Sequence, residues 1–313
     1  MSLRLGGLHH ITMITADVRE NVGFYAELLG LRLVKKTVNF DEPAAYHLYF
    51  GDESGSPGSI LTWFGFPDAA PGRPGPGMIH RIELGVPSAT SLEFWEQRLH
   101  DADHPVKRSE GAVEFTDYEG LGLALVLSDD SEPPLTAHYP EIPHEHAITG
   151  LRGARAYSAD DSGDTDEGGL LSETLGFERL PGEYFLDGTL RSFRWAYDPP
   201  PDRPGIQGAG TVHHIAWACE DADQPVWQER VREAGRQVTP VLDREYFTSI
   251  YFREPQGVLF EIATLGPGFA VDEDAAHLGE ALKLPPQHEH LREELEARLT
   301  PLENPRARGA ASQ

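Results

Sequence analysis

A His-His pair opens an apolar run twice in this chain, in GLHHITMIT (Gly7 to Thr15) and again in GTVHHIAWACED (Gly210 to Asp221). With only 14 histidines in 313 residues, two such pairs in matching contexts point to a repeated unit and a shared site. A neutral imidazole is a common metal ligand, and a strand fixes where its lone pair points. On a regular strand neighbouring side chains face opposite sides of the sheet. One His of each pair is therefore expected to enter the site, with the other behind it or at the strand edge. A third donor stands in GVLFEIATL, where Glu261 interrupts an apolar run. Burying a carboxylate there is costly unless it is paired, protonated or bound to a cation. Two imidazoles and one carboxylate form the facial set of non-haem Fe(II) oxygenases, which leaves positions open for substrate and dioxygen. Catalytic zinc also uses two His and one Glu.

Four similar units must position these groups. The first reads as a strand (Leu8 to Ile14), a helix in TADVRENVGFYAELLG and three strands in LRLVKKTVNF, AYHLYFGD and SILTWFGF. After the Pro/Gly-rich PDAAPGRPGPG the order repeats: MIHRIELGV, the helix SATSLEFWEQRLHDA, then VKRSE, AVEFTDY and LGLALVLSD. The link DDSEPPLTAHYPEIPHEH leads to ITGLRGARAYSA, the helix GGLLSETLGFERL and FRWAYDP. TVHHIAWACE, the helix QPVWQERVREAG, RQVTPVLDR, TSIYFREP and GVLFEIATL complete a fourth unit. Repetition of this kind decides the fold before any motif is weighed. The expectation is an α+β protein of four βαβββ modules that form two cup-shaped mixed sheets. Residues 5–140 and 145–266 would each hold a pair of modules. Residues 267–313 would form a tail, with a helix in HEHLREELEARL and a frayed end at NPRARGAASQ.

The sister units act as an internal control. Aligned by their Gly turns, unit one offers Thr62 and unit two Ala124 where unit four has Glu261. The same alignment puts His80 where His10 stands, and unit three has Leu151-Arg152-Gly153 in place of a His pair. Only units one and four together hold three ligands. One site is expected, built from one His of each pair and Glu261, with first and last unit sharing a cup and the other cup empty.

Composition narrows the partners. A formal charge of −25 is unsuited to nucleic acid or an anionic membrane. The single cysteine, Cys219, allows no intrachain disulfide and no Cys-rich metal site. The Met1 end lacks a basic segment followed by an apolar one, and no apolar run approaches membrane-spanning length. A cytoplasmic protein is expected, and a homo-oligomer is compatible with the sequence. The histidines of PEIPHEHA and PQHEHL sit in polar surroundings and are expected to be solvated; His47 is expected to be a structural strand residue, with a place on the pocket wall as the alternative.

LHHIT, VKKT, YHLYFGD with its Pro-Gly turn, GTVHHIA and IYFREPQGVLFEIAT together resemble the vicinal-oxygen-chelate superfamily of glyoxalases, bleomycin-resistance proteins and extradiol dioxygenases. Within it they are most similar to the ring-cleaving hydroquinone dioxygenases, over residues from about 5 to 270. The resemblance implies a glyoxalase-like fold. It also implies Fe(II) held by the second His of each pair and the Glu: His10, His214 and Glu261. Mn(II) and Zn(II) are alternative occupants of such a set. It further implies that Tyr251 and Arg244 line the substrate pocket, with His9 and His213 behind the ligands. From the residues alone, a phenol facing a cup can bond a substrate oxygen, and an arginine can stabilise a phenolate. The activity so implied is cleavage of a para-hydroquinone ring, with a small aromatic compound and O2 as substrates. The rival readings are an extradiol catechol dioxygenase, a glyoxalase-like metal-dependent isomerase or transferase, and a non-catalytic drug-binding protein of the bleomycin-resistance type.

Overall fold

The computed structural model of the protein describes residues 3–128, 132–161, 163 and 165–306. Unit one comprises β1 (Gly7–Thr15), α1 (Val18–Val22), β2 (Arg32–Val38), β3 (Tyr46–Gly51) and β4 (Ile60–Gly65). Unit two follows with β5 (Ile79–Val86), α2 (Ala89–Asp101), β6 (Lys107–Ser109), β7 (Ala112–Thr116) and β8 (Gly122–Leu127). Unit three contains β9 (Leu151–Tyr157), a π-helical turn (Leu170–Leu175), β10 (Glu178–Leu180), β11 (Glu183–Asp187) and β12 (Ser192–Asp198). In unit four are β13 (Thr211–Cys219), α3 (Gln224–Glu233), β14 (Leu242–Asp243), β15 (Thr248–Arg253) and β16 (Leu259–Thr264).

These strands form two eight-stranded mixed sheets. One runs β14-β15-β16-β13-β1-β4-β3-β2 and the other β10-β11-β12-β9-β5-β8-β7-β6. Units one and four thus share a sheet, as do units two and three. Each sheet is centred on an antiparallel pair, β1 with β13 or β5 with β9, flanked by parallel neighbours. All nine residues of β1 are buried, because both its faces are covered. Ile11 and Met13 join the main apolar core, while His10 and Thr12 alternate with them toward the other face. Trp217, from β13, packs edge-on against Trp195 and Phe193 of β12, so one core lies between the two sheets.

The helical segments depart from simple amphipathic expectation. Beyond α1 the chain widens into a π-helical turn over Gly23–Leu28, with Leu29 N–H donating to the Phe24 carbonyl. The wider turn buries Phe24, Tyr25 and Ala26 in succession, which an α-helical stripe cannot do. Unit three's helix shrinks to its π-helical turn, and RQVTPVLDR yields only the two residues of β14, since Pro240 has no N–H for a ladder. The segment after Pro267 lies along β2. Lys35, fully buried, donates at 2.5 Å to both Asp272 and Glu273, and His288 bonds the Phe40 carbonyl at 2.9 Å. HEHLREELEARL is α-helical only in α4 (Arg292–Arg298), after a 3-10 stretch. Asn304 is buried and Arg306 grips Glu53 through both terminal nitrogens; the rest of NPRARGAASQ, 307–313, lies outside the described residues. No described helix is long and apolar enough to cross a membrane.

Candidate metal centre

At the middle of the first sheet, His10 Nε2, His214 Nε2 and Glu261 Oε2 converge. The two nitrogens are 3.3 Å apart, and the carboxylate oxygen lies 2.8 Å from His214 and 3.4 Å from His10. Among the described residues this is the one group of three His, Cys, Asp or Glu placed to hold an ion. Glu261 is 0% exposed, and its Oε2 has no hydrogen bond of acceptable geometry despite those neighbours. Glu261 Oε2 is thus an unsatisfied acceptor facing the same spot as two imidazole nitrogens that are themselves within hydrogen-bond reach of each other. Edges near 3 Å suit one face of ligands about 2.0–2.2 Å from a single ion. Burial would push the Glu261 carboxyl up, but the His10 and His214 imidazoles outweigh it and hold the acid well below its ordinary range. Ser249 donates from its hydroxyl to Glu261 Oε1, fixing the other oxygen toward the site.

Adjacent histidines meet by means of two β-bulges. The pairing of β1 with β13 skips a residue between Leu8 and His10, and again opposite His213, between the partners of Thr12 and Met13. His9 and His213 are the inserted residues. A bulge re-aims side chains that regular pleating would send to opposite faces. His9 Nδ1 lies 2.9 Å from His10 Nδ1, and His213 Nδ1 lies 2.8 Å from His214 Nδ1. The expectation that only one His of a pair could enter the cup is corrected for the second pair, where His213 and His214 both line the cavity, and holds for the first, where His10 lines it and His9 does not. Burial, then the neighbouring imidazole, lowers both His9 and His213 to about 3. Held neutral, each ring can accept from the Nδ1–H tautomer of its neighbour, the tautomer that leaves the neighbour's Nε2 lone pair for a metal.

A cavity of about 570 Å³ opens over this face. Tyr251 and Arg244 both line it, with Arg244 Nε donating to Tyr251 Oη at 3.3 Å and Arg244 Nη1 to Asp41 Oδ2 at 3.2 Å. Burial, then Glu261, raises the Tyr251 phenol, so it stays protonated. Phe247 lies 4.9 Å from the His9 ring and 5.2 Å from the His10 ring, an apolar lid on the ligands.

On the opposite wall, His47 also lines the cavity, bonded through Nε2 to Thr62 Oγ1 and through Nδ1 to Tyr49 Oη, each at 2.9 Å. Ser249 and Tyr49 were not singled out by sequence reasoning, and Thr62 only as the residue at Glu261's place. The signal was the alignment of YHLYF with TSIYF, which sets His47 against Ser249 and Tyr49 against Tyr251.

Register tests the internal control directly. Glu261 pairs with Ala216, two residues past His214, and Thr62 pairs with Thr12, two past His10, so Thr62 does hold Glu261's place. In the second sheet Ile82 faces Ala154 as Ile11 faces Ile215. His10 therefore corresponds to Arg81 and not to His80; the bulge between Ile79 and Arg81 puts His80 at the place of His9. Gly153 stands for His214, Ala124 for Thr62 and Ala196 for Glu261. The two polar histidine clusters are also not all solvated: His146 stacks on Phe94 and bonds Ser91, and His288 bonds Phe40, while His144 and His290 remain exposed.

The Glyoxalase/Bleomycin resistance protein/Dioxygenase superfamily model matches residues 7–132 and 170–262. A Bacillus subtilis (strain 168) protein provisionally named ring-cleaving dioxygenase MhqO is 43% identical, over 97% of this chain and 98% of its own. Chlorohydroquinone/hydroquinone 1,2-dioxygenase of Sphingobium indicum is 32% identical, over 93% and 95%. A crystal structure of a provisionally named dioxygenase from Bacillus subtilis superimposes with a TM-score of 0.87 at 40% identity, covering 96% of this chain and 99% of that one. Glyoxalase I from Zea mays shares the fold alone, with a TM-score of 0.55 at 12% identity over 84% and 92%.

Proposed function

The chain belongs to the glyoxalase/bleomycin resistance protein/dioxygenase superfamily, and from that premise we propose that it is an Fe(II)-dependent dioxygenase that cleaves the ring of a para-hydroquinone. The observation that carries the reading is the convergence, among the described residues, of three buried donor atoms, with a hydroxyl, Thr62, at the pseudo-symmetric place of the carboxylate. A three-ligand face leaves positions for both substrate and O2. The names of the relatives, ring-cleaving and hydroquinone dioxygenases at 32–43% identity, support the same class.

His10, His214 and Glu261 would hold the ion, which supplies the electron path between ring and O2. The chain's own groups do the rest. Tyr251 and Arg244 donate hydrogen bonds toward an anionic substrate oxygen, Phe247 and the apolar wall exclude water, and the His9 and His213 rings keep the ligand imidazoles in the right tautomer. A para-diol is too wide for both hydroxyls to reach one ion, so the protein must orient the ring. An ortho-diol is oriented by chelation. Donors on the wall beside the ligands favour the former. The chain's acidic surface and lack of a described spanning helix fit a protein that meets small aromatic substrates in the cytoplasm.

The test is anaerobic loading with Fe(II), followed by oxygen uptake on a panel of hydroquinones and catechols. A higher kcat/KM for hydroquinones is expected. A strong preference for catechols would replace this reading with extradiol cleavage, and no uptake on either would remove it.

A further inference from the structure

The cavity has a second polar wall that the reading above leaves without a role. Units one and four are related by an approximate twofold through the pairing of Ile11 with Ile215. Tyr251 lies opposite Glu261 in the ladder of β15 and β16, and Tyr49 lies opposite Thr62 in that of β3 and β4. Tyr49 is thus the counterpart of Tyr251. Both line the same cavity.

Their hydrogen bonds run in opposite senses. Tyr251 Oη accepts from Arg244 Nε, so its own hydrogen is left for the cavity. On the other side the chain of donors can be followed inward. Thr62 donates to Thr12 Oγ1 at 2.9 Å, both hydroxyls being fully buried. Thr62 therefore accepts from His47 Nε2–H, and the remaining nitrogen of that neutral ring, Nδ1, must accept. Its partner is the Tyr49 hydroxyl, 2.9 Å away. With its hydrogen committed to His47, the Tyr49 oxygen has only lone pairs left to offer, on a side chain 1% exposed in the cavity wall.

We propose that Tyr49, oriented by His47, is a substrate-positioning residue that accepts a hydrogen bond from a substrate hydroxyl, so that the cavity binds a singly deprotonated diol between a donor wall at Tyr251–Arg244 and an acceptor wall at Tyr49–His47. This rests on the para-diol reading and deepens it. A diol with one phenolate and one intact hydroxyl is complementary to both walls at once, whereas a dianion or a monophenol satisfies only one. Thr62 accepts the His47 Nε2–H and, unlike the carboxylate at the equivalent position in unit four, leaves that side of the site open to ligands.

The experiment is anaerobic calorimetric titration of the Fe(II)-loaded protein with hydroquinone and with 4-methoxyphenol, which keeps one ionisable hydroxyl and lacks the second. The wild type is expected to prefer hydroquinone. Tyr49→Phe should weaken hydroquinone about three- to tenfold, the ordinary worth of one neutral hydrogen bond, and leave 4-methoxyphenol unchanged. Tyr251→Phe should weaken both. His47→Gln, whose amide can accept from Tyr49 and donate to Thr62, should keep the preference, and His47→Leu should lose it with Tyr49 still present. A folded, iron-loaded Tyr49→Phe protein that keeps the wild-type preference overturns the acceptor wall alone. A wild type that binds neither phenol overturns the para-diol reading and this inference with it.

Discussion

The two cups of this molecule have one architecture and opposite interiors. Each is eight strands in the same order about an antiparallel pair. Where the first places His10, His214 and Glu261, the second has Arg81, Gly153 and Ala196. The first buries a carboxylate at 0% exposure whose paired side chains, among the described residues, are the His10 and His214 imidazoles. The second neutralises its own charges: Arg81 pairs with Glu114 at 2.9 Å, and Arg155 and His80 both bond Asp198, at 2.5 and 2.7 Å. Those groups remain partly exposed. A fold indifferent to its contents thus gathers a candidate ligand set where three positions depart together.

The largest expected effect tests that contrast. Metal analysis after anaerobic Fe(II) loading should find one equivalent per chain. His10→Ala, His214→Ala or Glu261→Gln should each bring bound iron and oxygen uptake to background while thermal unfolding stays cooperative. Arg81→Ala should change neither. Two tight equivalents would break the distinction between the cups.

Next in size is the donor wall. Tyr251→Phe should retain iron yet cut kcat for hydroquinones about 10²- to 10⁴-fold, as loss of one positioned acid or donor often does. A variant with undiminished kcat would leave Tyr251 a packing residue. Smaller again is the effect of the bulged histidines. His9→Ala and His213→Ala should each weaken iron affinity or activity about 10- to 100-fold, because they lock ring orientation without binding the ion. Should His9→Ala strip the iron while His10→Ala retains it, the order of ligand and supporter is reversed.

Much of this was legible in sequence because it was written twice. The βαβββ order, the His pairs and the lone Glu in an apolar strand sufficed to pair the first unit with the last, since only those units hold ligands. What the sequence hid lies in departures from regular geometry. Strict alternation sent His9 and His10 to opposite faces; two bulges undo it and create the Nδ1 contacts. The same irregularity shifted His80 by one residue, although aligning IHRIE with LHHIT matches it to His9. The helices were overextended because a π-helical turn buries three neighbours that no 3.6-residue stripe anticipates. Ser249 escaped notice because a hydroxyl on a neighbouring strand shows its carboxylate partner only when the register of β15 and β16 is known, and Tyr49 because it becomes the counterpart of Tyr251 only when YHLYF is laid on TSIYF.

The smallest effect belongs to the second cup, and its pH dependence separates the two interiors. The Arg155 hydrogen bonds, outweighing burial, hold the Asp198 carboxyl below its ordinary range. A carboxylate so lowered contributes stability that is fully present above its unfolded value, near 3.9, and is lost as pH falls through the folded one. Both partners are about a quarter exposed. Asp198→Asn should therefore cost about 1 kcal/mol at neutral pH, the upper end for a pair open to solvent. Urea unfolding followed from pH 7 downward should show the wild-type advantage shrinking below about pH 4, since a protonated Asp198 and an Asn are then equivalent to Arg155. Iron content and ring cleavage should not move at any pH where the protein is folded. An Asp198→Asn protein that lost iron would tie the cups together energetically and end the view of the second as a self-neutralised copy.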